Sequence, residues 1–245
     1  MDFDTIMKVS IIFIGTGKYL NFLPKYWEKI QENFLPNTEK KIFVFTDGEL
    51  NDVPENILVF KQDHLDWPYI TLLRFEIINK VKDSLKEFDY LVFMDADTLV
   101  VDEVLEEDFI SDKSFFSVHH PCHYMQMPPH DKLPGSFETN RKSQAFLDVN
   151  KYKPDVYYQC CLWGGKIPDV FELLDTLESR IQIDIENETI PEWHDESHLN
   201  KFLIENNDRV HTLSPEYAYP EVFSKYCTFD PKIVHLSKDN SEYQV

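Results

Sequence analysis

Two aspartates separated by one residue close the run Tyr90-Leu91-Val92-Phe93-Met94-Asp95-Ala96-Asp97. An apolar, β-prone stretch ending in carboxylates describes a buried strand that opens onto hard oxygen donors. In open α/β sheets, ligands bind beyond the carboxyl ends of the strands. Paired carboxylates there suit Mg2+ or Mn2+. The same pattern also arises as a polar turn after a strand, so the spacing alone leaves both readings open.

Charge favours the metal. The 245 residues include 44 acidic and 24 basic side chains, a formal net charge of −20, and the isoelectric point is near 4.7. Nonspecific nucleic-acid binding and docking on an anionic membrane are both disfavoured. A nucleoside diphosphate would be repelled too, unless a divalent cation sat between it and the carboxylates. Asp95 and Asp97 therefore point to chemistry in which a diphosphate leaves, as in transfer from a sugar nucleotide.

A second group, Glu192-Trp193-His194-Asp195-Glu196-Ser197-His198, crowds the start of an expected helix. Asp195 or Ser197 would serve as ordinary N-caps. His194 and His198 are four apart, but the Glu that a zinc protease needs directly after the first His is replaced by Asp195. Trp beside carboxylates suits sugar work, because indole stacks on pyranose faces and carboxylates bind hydroxyls or the anomeric centre. His119, His120, Cys122, His123 and His130 form a third group with no structural-zinc spacing; hydrogen-bonding or core histidines are the better reading. In the fourth, 157–165, two glycines follow an aromatic run and suggest either close backbone approach to a ligand or a tight core turn.

The elements that must position these groups follow from pattern. Strands are expected at 9–14, 41–45, 57–60, 90–94 and 115–119, and helices at 19–34, 72–88, 170–183 and 197–205. Strand–helix alternation over the first hundred residues argues for an α/β parallel sheet. Residues 119–135 read as a long loop and 238–245 as a polar tail. Six glycines, at 15, 17, 48, 135, 164 and 165, build neither a dinucleotide fingerprint nor a phosphate-binding Walker loop. The four cysteines, two of them adjacent, match no disulfide or zinc frame and are expected to be reduced. The N-terminus lacks a basic region before a long apolar run, and no stretch reaches the roughly 20 apolar residues of a membrane span. A soluble cytoplasmic protein is the expectation.

Together these segments resemble glycosyltransferase family 6, the family of the blood-group A and B transferases and the α-1,3-galactosyltransferases. The residues that carry the likeness are Trp193-His-Asp-Glu-Ser-His-Leu-Asn-Lys201, Leu213-Ser-Pro-Glu-Tyr217, Tyr90-Leu-Val-x-x-Asp-x-Asp97, His120-Pro121, Ser143-Gln144-Ala145 and Tyr157-Tyr158 with Gly164-Gly165. The resemblance implies one GT-A catalytic domain over 1–245, a Rossmann-like, mostly parallel α/β sheet flanked by helices. Its nucleotide-binding half would lie at about 1–100 and its acceptor half at about 101–238.

It further implies a retaining enzyme that moves galactose or N-acetylgalactosamine from UDP-Gal or UDP-GalNAc to a galactose-containing oligosaccharide. By resemblance, Asp95 and Asp97 bind Mn2+ (or Mg2+), and Glu196 faces the anomeric carbon. Asp195 grips the donor sugar, and Ile14, Thr16 and Tyr19 bind uridine. Trp67 and Arg74 brace the donor site, Cys161 sits at the donor-selectivity position and Lys238 closes over the diphosphate. His120, Ser136 and Trp193 contact the acceptor, with Glu196 beside them. His235 is read as a strand-end histidine rather than a third metal ligand. Where the family's vertebrate members carry an N-terminal membrane anchor and stem, neither is expected here; the chain also departs from the family in Cys160 and Cys161, where relatives carry small residues, in Cys122 after His120-Pro121, and after Tyr217. UDP-glucose or UDP-N-acetylglucosamine as donor, and a non-catalytic sugar-binding module, are the alternatives.

Overall fold

A computed structural model of the chain describes residues 6–124, 135–239 and 243. Among the described residues, ten strands form two sheets: β1 (Lys8–Ile14), β2 (Glu39–Thr46), β3 (Ile57–Lys61), β4 (Tyr90–Met94), β5 (Thr98–Val100), β6 (Phe115–His119), β7 (Tyr158–Lys166), β8 (Val210–Leu213), β9 (Tyr219–Pro220) and β10 (Ile233–His235). The large sheet has the order β3-β2-β1-β4-β7-β6-β8, and the small one β5-β10-β9. In the large sheet β7 alone runs antiparallel to its neighbours, β4 and β6. This is the mixed, mostly parallel α/β architecture expected from the strand–helix alternation.

The sheet is buried on both faces, which is why its strands read as continuous apolar runs. Ile12, Phe43, Phe45, Leu91, Phe93 and Trp163 belong to one core cluster, with Leu173, Leu177, Leu199 and Phe202 of the helices Ile167–Glu186 and His194–Glu205. Val9, Ile11, Phe13, Val44, Val92 and Met94 belong to the other, with Trp27 and Ile30 of the helix Leu23–Asn33.

Several expected helices differ at their ends. The stretch 72–88 is broken into Tyr69–Leu72, Arg74–Asn79 and Lys82–Leu85. An unbroken stripe of Leu73, Ile77, Val81 and Leu85 gave no sign of the breaks. The stretch 19–34 begins as the 3-10 turn Gly17–Phe22, and Pro24 then stands in the first turn of the α-helix. Inside the expected loop 119–135, Pro121–Tyr124 is helical; His130 lies outside the described residues.

Gly164 and Gly165 do permit close approach, but to protein rather than to a ligand. They lie inside β7, paired with β4 and β6. A Cβ at Gly164 would stand 2.1 Å from the Leu91 carbonyl and 2.5 Å from Phe116 Cζ. Gly164→Ala is therefore expected to cost about 1–3 kcal/mol or more by overpacking, lowering Tm by roughly 2–12 °C for a chain of this size. Calorimetry checks this; an unchanged Tm would mean that the strands part without strain.

Candidate active site

The parallel pairing of β1 with β4 brings their carboxyl ends to the same edge of the sheet. A cavity of about 340 Å3 opens there. Ile14 and Thr16 come from the end of β1, and Asp95 and Asp97 from the turn after β4. Tyr19, Trp67, Arg74 and Lys238 complete the expected donor residues that line it. Cys161 and Asp195 stand behind that wall: the Asp95 N–H donates to the Cys161 carbonyl at 2.9 Å, and Asp195 pairs with Arg74. Cys160 and Cys161 are both buried, and all four cysteines are unpaired.

β5 follows Asp97 directly and pairs antiparallel with β10, setting His235 opposite Thr98. The Leu236 N–H donates to the Asp97 carbonyl at 2.8 Å. His235 does end a strand, and this register also carries its Nε2 to 3.2 Å from Asp97 Oδ1 and 3.8 Å from Asp95 Oδ2. Asp95, Asp97 and His235 offer ligand atoms within 4.8 Å of one another. Lys238 Nζ also pairs with Asp97 and lies 5.2 Å over the Tyr19 ring. Burial raises the Asp95 carboxyl, which Arg74 partly offsets. Burial also opposes ionisation of Asp97, but the His235 hydrogen bond and Lys238 outweigh it and bring that carboxyl down to about 2. Two carboxylates and an imidazole around one point form a donor set that fits a divalent cation.

The helix His194–Glu205 starts one turn earlier than its apolar pattern indicates. Its N-cap is Trp193, with no side-chain cap, and His194 adopts a left-handed φ of 47°. Asp195 and Ser197 are thus inside the helix rather than capping it. Asp195 and Glu196 occupy the first turn, where the helix dipole favours carboxylates. His194 and His198 do not converge. The His194 ring meets Trp67 edge-on at 4.7 Å, whereas His198 Nε2 lies 3.4 Å from buried Asp184. Asn200 ties the helix to β7 by accepting from the Tyr158 N–H and donating to the Tyr158 carbonyl, both at 2.8 Å.

Arg74, 6 % exposed, joins the two halves of the site. Its Nη1 is 3.1 Å from Asp95 Oδ1 and its Nε 3.0 Å from Asp195 Oδ2. Its Nη1 also donates to the Cys160 carbonyl at 3.2 Å. Cys160 in turn donates from Sγ to Asp195 Oδ2 at 3.0 Å and from its backbone N–H to Glu196 Oε2 at 2.9 Å. Tyr157 donates to Glu196 Oε1 at 2.7 Å. Burial raises the Glu196 carboxyl to about 7, against the lowering effect of these two hydrogen bonds.

Of the expected acceptor residues, Trp193 directly precedes the helix that carries Glu196, and His120 meets edge-on the Tyr157 ring whose hydroxyl holds Glu196. Trp193 Nε1 donates to Ser136 Oγ at 3.1 Å, and Ser136 donates to Glu192 at 3.2 Å. His120 is buried, and its Nδ1 accepts the Cys122 N–H at 3.2 Å. Burial, with His123 and His119 adding to it, lowers the His120 pKa to about 3, so its ring is neutral at ordinary pH.

Sequence reasoning gave His64 and Tyr243 no role, and it marked Tyr157 and Cys160 only as members of the 157–165 group, with no place at Glu196. His64 lines the cavity and shares a hydrogen bond of 2.9 Å with Thr16 Oγ1. Tyr243, in the expected polar tail, also lines it and stacks on Phe22 at 5.5 Å. No local pattern marks His64 or Tyr243, whereas Tyr157 and Cys160 lie within the group 157–165, whose pattern carried no sign of Glu196.

The model of glycosyltransferase family 6 matches residues 3–245. The chain is 28% identical over 239 residues to the O-antigen biosynthesis glycosyltransferase WbnI of Escherichia coli, covering 97% of each. It is 26% identical over 223 residues to histo-blood group ABO system transferase 2 of Rattus norvegicus, covering 87% of this chain and 64% of the relative. It is 27% identical over 224 residues to globoside alpha-1,3-N-acetylgalactosaminyltransferase 1 of Homo sapiens, covering 88% and 62%. The chain thus spans under two thirds of those two mammalian relatives. No helix among the described residues is long and apolar enough to cross a membrane.

Removing Arg74 would leave two partly or wholly buried carboxylates without their common partner. Arg74→Met is expected to cost about 3–5 kcal/mol, read as a lower urea midpoint at unchanged slope. A midpoint within error of the parent's would mean that the two halves of the site are held together by packing alone.

Proposed function

The chain belongs to glycosyltransferase family 6, and on that premise we propose that it moves galactose or N-acetylgalactosamine from a UDP-sugar to a galactose-containing oligosaccharide. The linkage formed is α-1,3, the anomeric configuration is retained and a divalent cation, Mn2+ or Mg2+, takes part. The observation that carries this reading is the arrangement about Arg74, which joins the Asp95–Asp97–His235 group to the Asp195–Glu196 turn.

Ile14, Thr16 and Tyr19 line the end of the cavity suited to uridine, and Trp67 and Arg74 brace the donor. Asp95, Asp97 and His235 would hold the cation. When bound, it supplies positive charge to the departing diphosphate. Lys238, already on Asp97, supplies a second cation to the same phosphates. Asp195, fixed by Arg74 and Cys160, accepts hydrogen bonds from donor-sugar hydroxyls. Glu196 stabilises or attacks the anomeric carbon on the face opposite the leaving group. The acceptor hydroxyl then arrives on the face that UDP vacates, and the departing phosphate takes its proton.

On the acceptor side, the Trp193 indole provides a face for a pyranose, with Ser136 beside it. The neutral His120 ring, whose Nδ1 is occupied by Cys122, donates from Nε2 to a sugar hydroxyl. Cys161, buried beside the Asp95 backbone, sets the room available at the sugar's second carbon and so the choice between the two donors.

The decisive assay is UDP release from UDP-Gal and UDP-GalNAc, with Mn2+ or EDTA and a galactoside acceptor. Release that stops in EDTA, together with Mn2+ binding by calorimetry that weakens in Asp97→Asn and His235→Ala, is the expected result. Release that survives EDTA overturns the metal assignment. A better UDP-glucose or UDP-N-acetylglucosamine donor overturns the donor assignment, and binding without transfer or hydrolysis overturns the enzyme reading.

Glu196→Gln is expected to lower kcat about 100- to 1000-fold with UDP affinity unchanged. Because the carboxylate is the active form and its pKa is raised to about 7, kcat/KM of the parent should rise with pH through about 7. Full activity in Glu196→Gln would remove the role assigned to this residue.

A further inference from the structure

Glu196 is the carboxylate on which the proposed reaction depends, and three elements face it. Its own helix supplies Asp195, the Arg74–Asn79 segment supplies Arg74, and the entry to β7 supplies Tyr157 and the backbone and thiol of Cys160. Both carboxylate oxygens are taken: Oε1 by the Tyr157 hydroxyl at 2.7 Å and Oε2 by the Cys160 N–H at 2.9 Å. The second donor is backbone inside the sheet and cannot turn away. The first is a side chain, so its aim depends on what holds the phenol ring.

That ring is held on every side. His123 stacks on it with centroids 4.6 Å apart and planes 21° apart. Phe137 meets it edge-on at 5.1 Å and His120 at 5.8 Å. Gly135 curls over it with a left-handed φ of 84°, and a Cβ there would lie 2.4 Å from the ring. Tyr157 is 1 % exposed. His123 is itself fixed by a 3.1 Å hydrogen bond between Nε2 and the Gly135 carbonyl. The Tyr157 carbonyl accepts the His120 N–H at 2.7 Å, so the His120–Tyr124 segment is tied to the same residue twice.

We infer that Tyr157 is a positioning residue for Glu196: clamped by His123, Phe137 and Gly135, it fixes one carboxylate oxygen and links the carboxylate to the acceptor-side segment that carries His120. This rests on the reading of Glu196 given above. Burial, with the Glu196 charge adding to it, pushes the phenol pKa far up, so the hydroxyl keeps its proton and donates throughout the working pH range. The bond favours the ionised form of Glu196, so its loss moves the carboxyl further upward.

The test is Tyr157→Phe, which keeps the ring and removes the hydroxyl, read by pH profiles of kcat/KM with donor KM and UDP affinity measured alongside. A hydrogen bond to a charged group is expected to shift the acid limb upward by about one pH unit. Activity at pH 7 should fall about five- to sixfold, as the ionised fraction drops from about one half to about one eleventh, with donor KM and UDP affinity unchanged and the deficit shrinking at higher pH. His123→Ala keeps the hydroxyl but removes the ring stacked on it; a smaller shift in the same direction is expected, and it carries the test if Tyr157→Phe does not fold.

Acid limbs unmoved in both variants overturn the inference. So does a rise in acceptor KM alone, which would make Tyr157 a simple acceptor contact. The Glu196→Gln variant separates the two failures. If it retains full activity, the role of Glu196 fails and this inference with it. If it is inactive while the Tyr157→Phe limb stays in place, only the role of Tyr157 fails.

Discussion

The site is built around one buried guanidinium. Four carboxylates, those of Asp95, Asp97, Asp195 and Glu196, converge at the edge of the sheet in a chain that already carries a formal charge of −20. Left alone they would repel one another and any phosphate that entered. Arg74 spans the two nearest groups, Asp95 and Asp195, from a position that is almost wholly buried, where its charge is poorly screened. Removing either partner would leave a desolvated charge, so the strand end and the helix start are coupled through it. The remaining carboxylates are satisfied differently: Asp97 by His235 and Lys238, Glu196 by two hydrogen bonds from β7 and its approach.

That division has a chemical consequence. Asp97 is held ionised, while Glu196 sits near neutrality, its carboxyl raised to about 7. Neighbouring acids with separated pKa values can do different jobs, one as a standing charge and the other as a group poised at the anomeric centre. The separation comes from what each acid is given: direct cationic partners for Asp97, and hydrogen bonds from two neutral donors for Glu196, with Arg74 acting on it only through space. The backbone of β7 contributes to both ends, through the Cys161 carbonyl to Asp95 and the Cys160 N–H to Glu196.

Legibility varied with the range of the interaction. The strands were readable because sheet strands buried on both faces must be apolar throughout, and the Asp95–Asp97 pair because it directly follows such a strand. The helix ends were less readable. Stripe periodicity survives the interruptions after Leu72 and Asn79, and polar residues filling the first turn of the helix at His194 looked like a cap. The pair Gly164-Gly165 was visible as a demand for space, but not what needed it: the neighbouring strands, through the Leu91 carbonyl and the Phe116 ring. His235 shows the limit most clearly. A histidine ending a three-residue strand carries no local mark of the carboxylates 138 and 140 positions earlier in the chain; the β5–β10 register brings them together.

By itself, then, the sequence determined the α/β class, the apolar strands, the candidate carboxylates and, through motif resemblance, the family. These rest on local rules: alternation, apolar runs and residue types at short spacing. Only the tertiary structure decided which groups share a cavity, that Arg74 bridges Asp95 and Asp195, that His235 joins the Asp95–Asp97 pair and that Tyr157 holds Glu196. Those facts depend on strand order and register, which are set by packing the whole core. Electrostatics then acts on distances of a few ångströms that span most of the chain's length, and no local pattern encodes them.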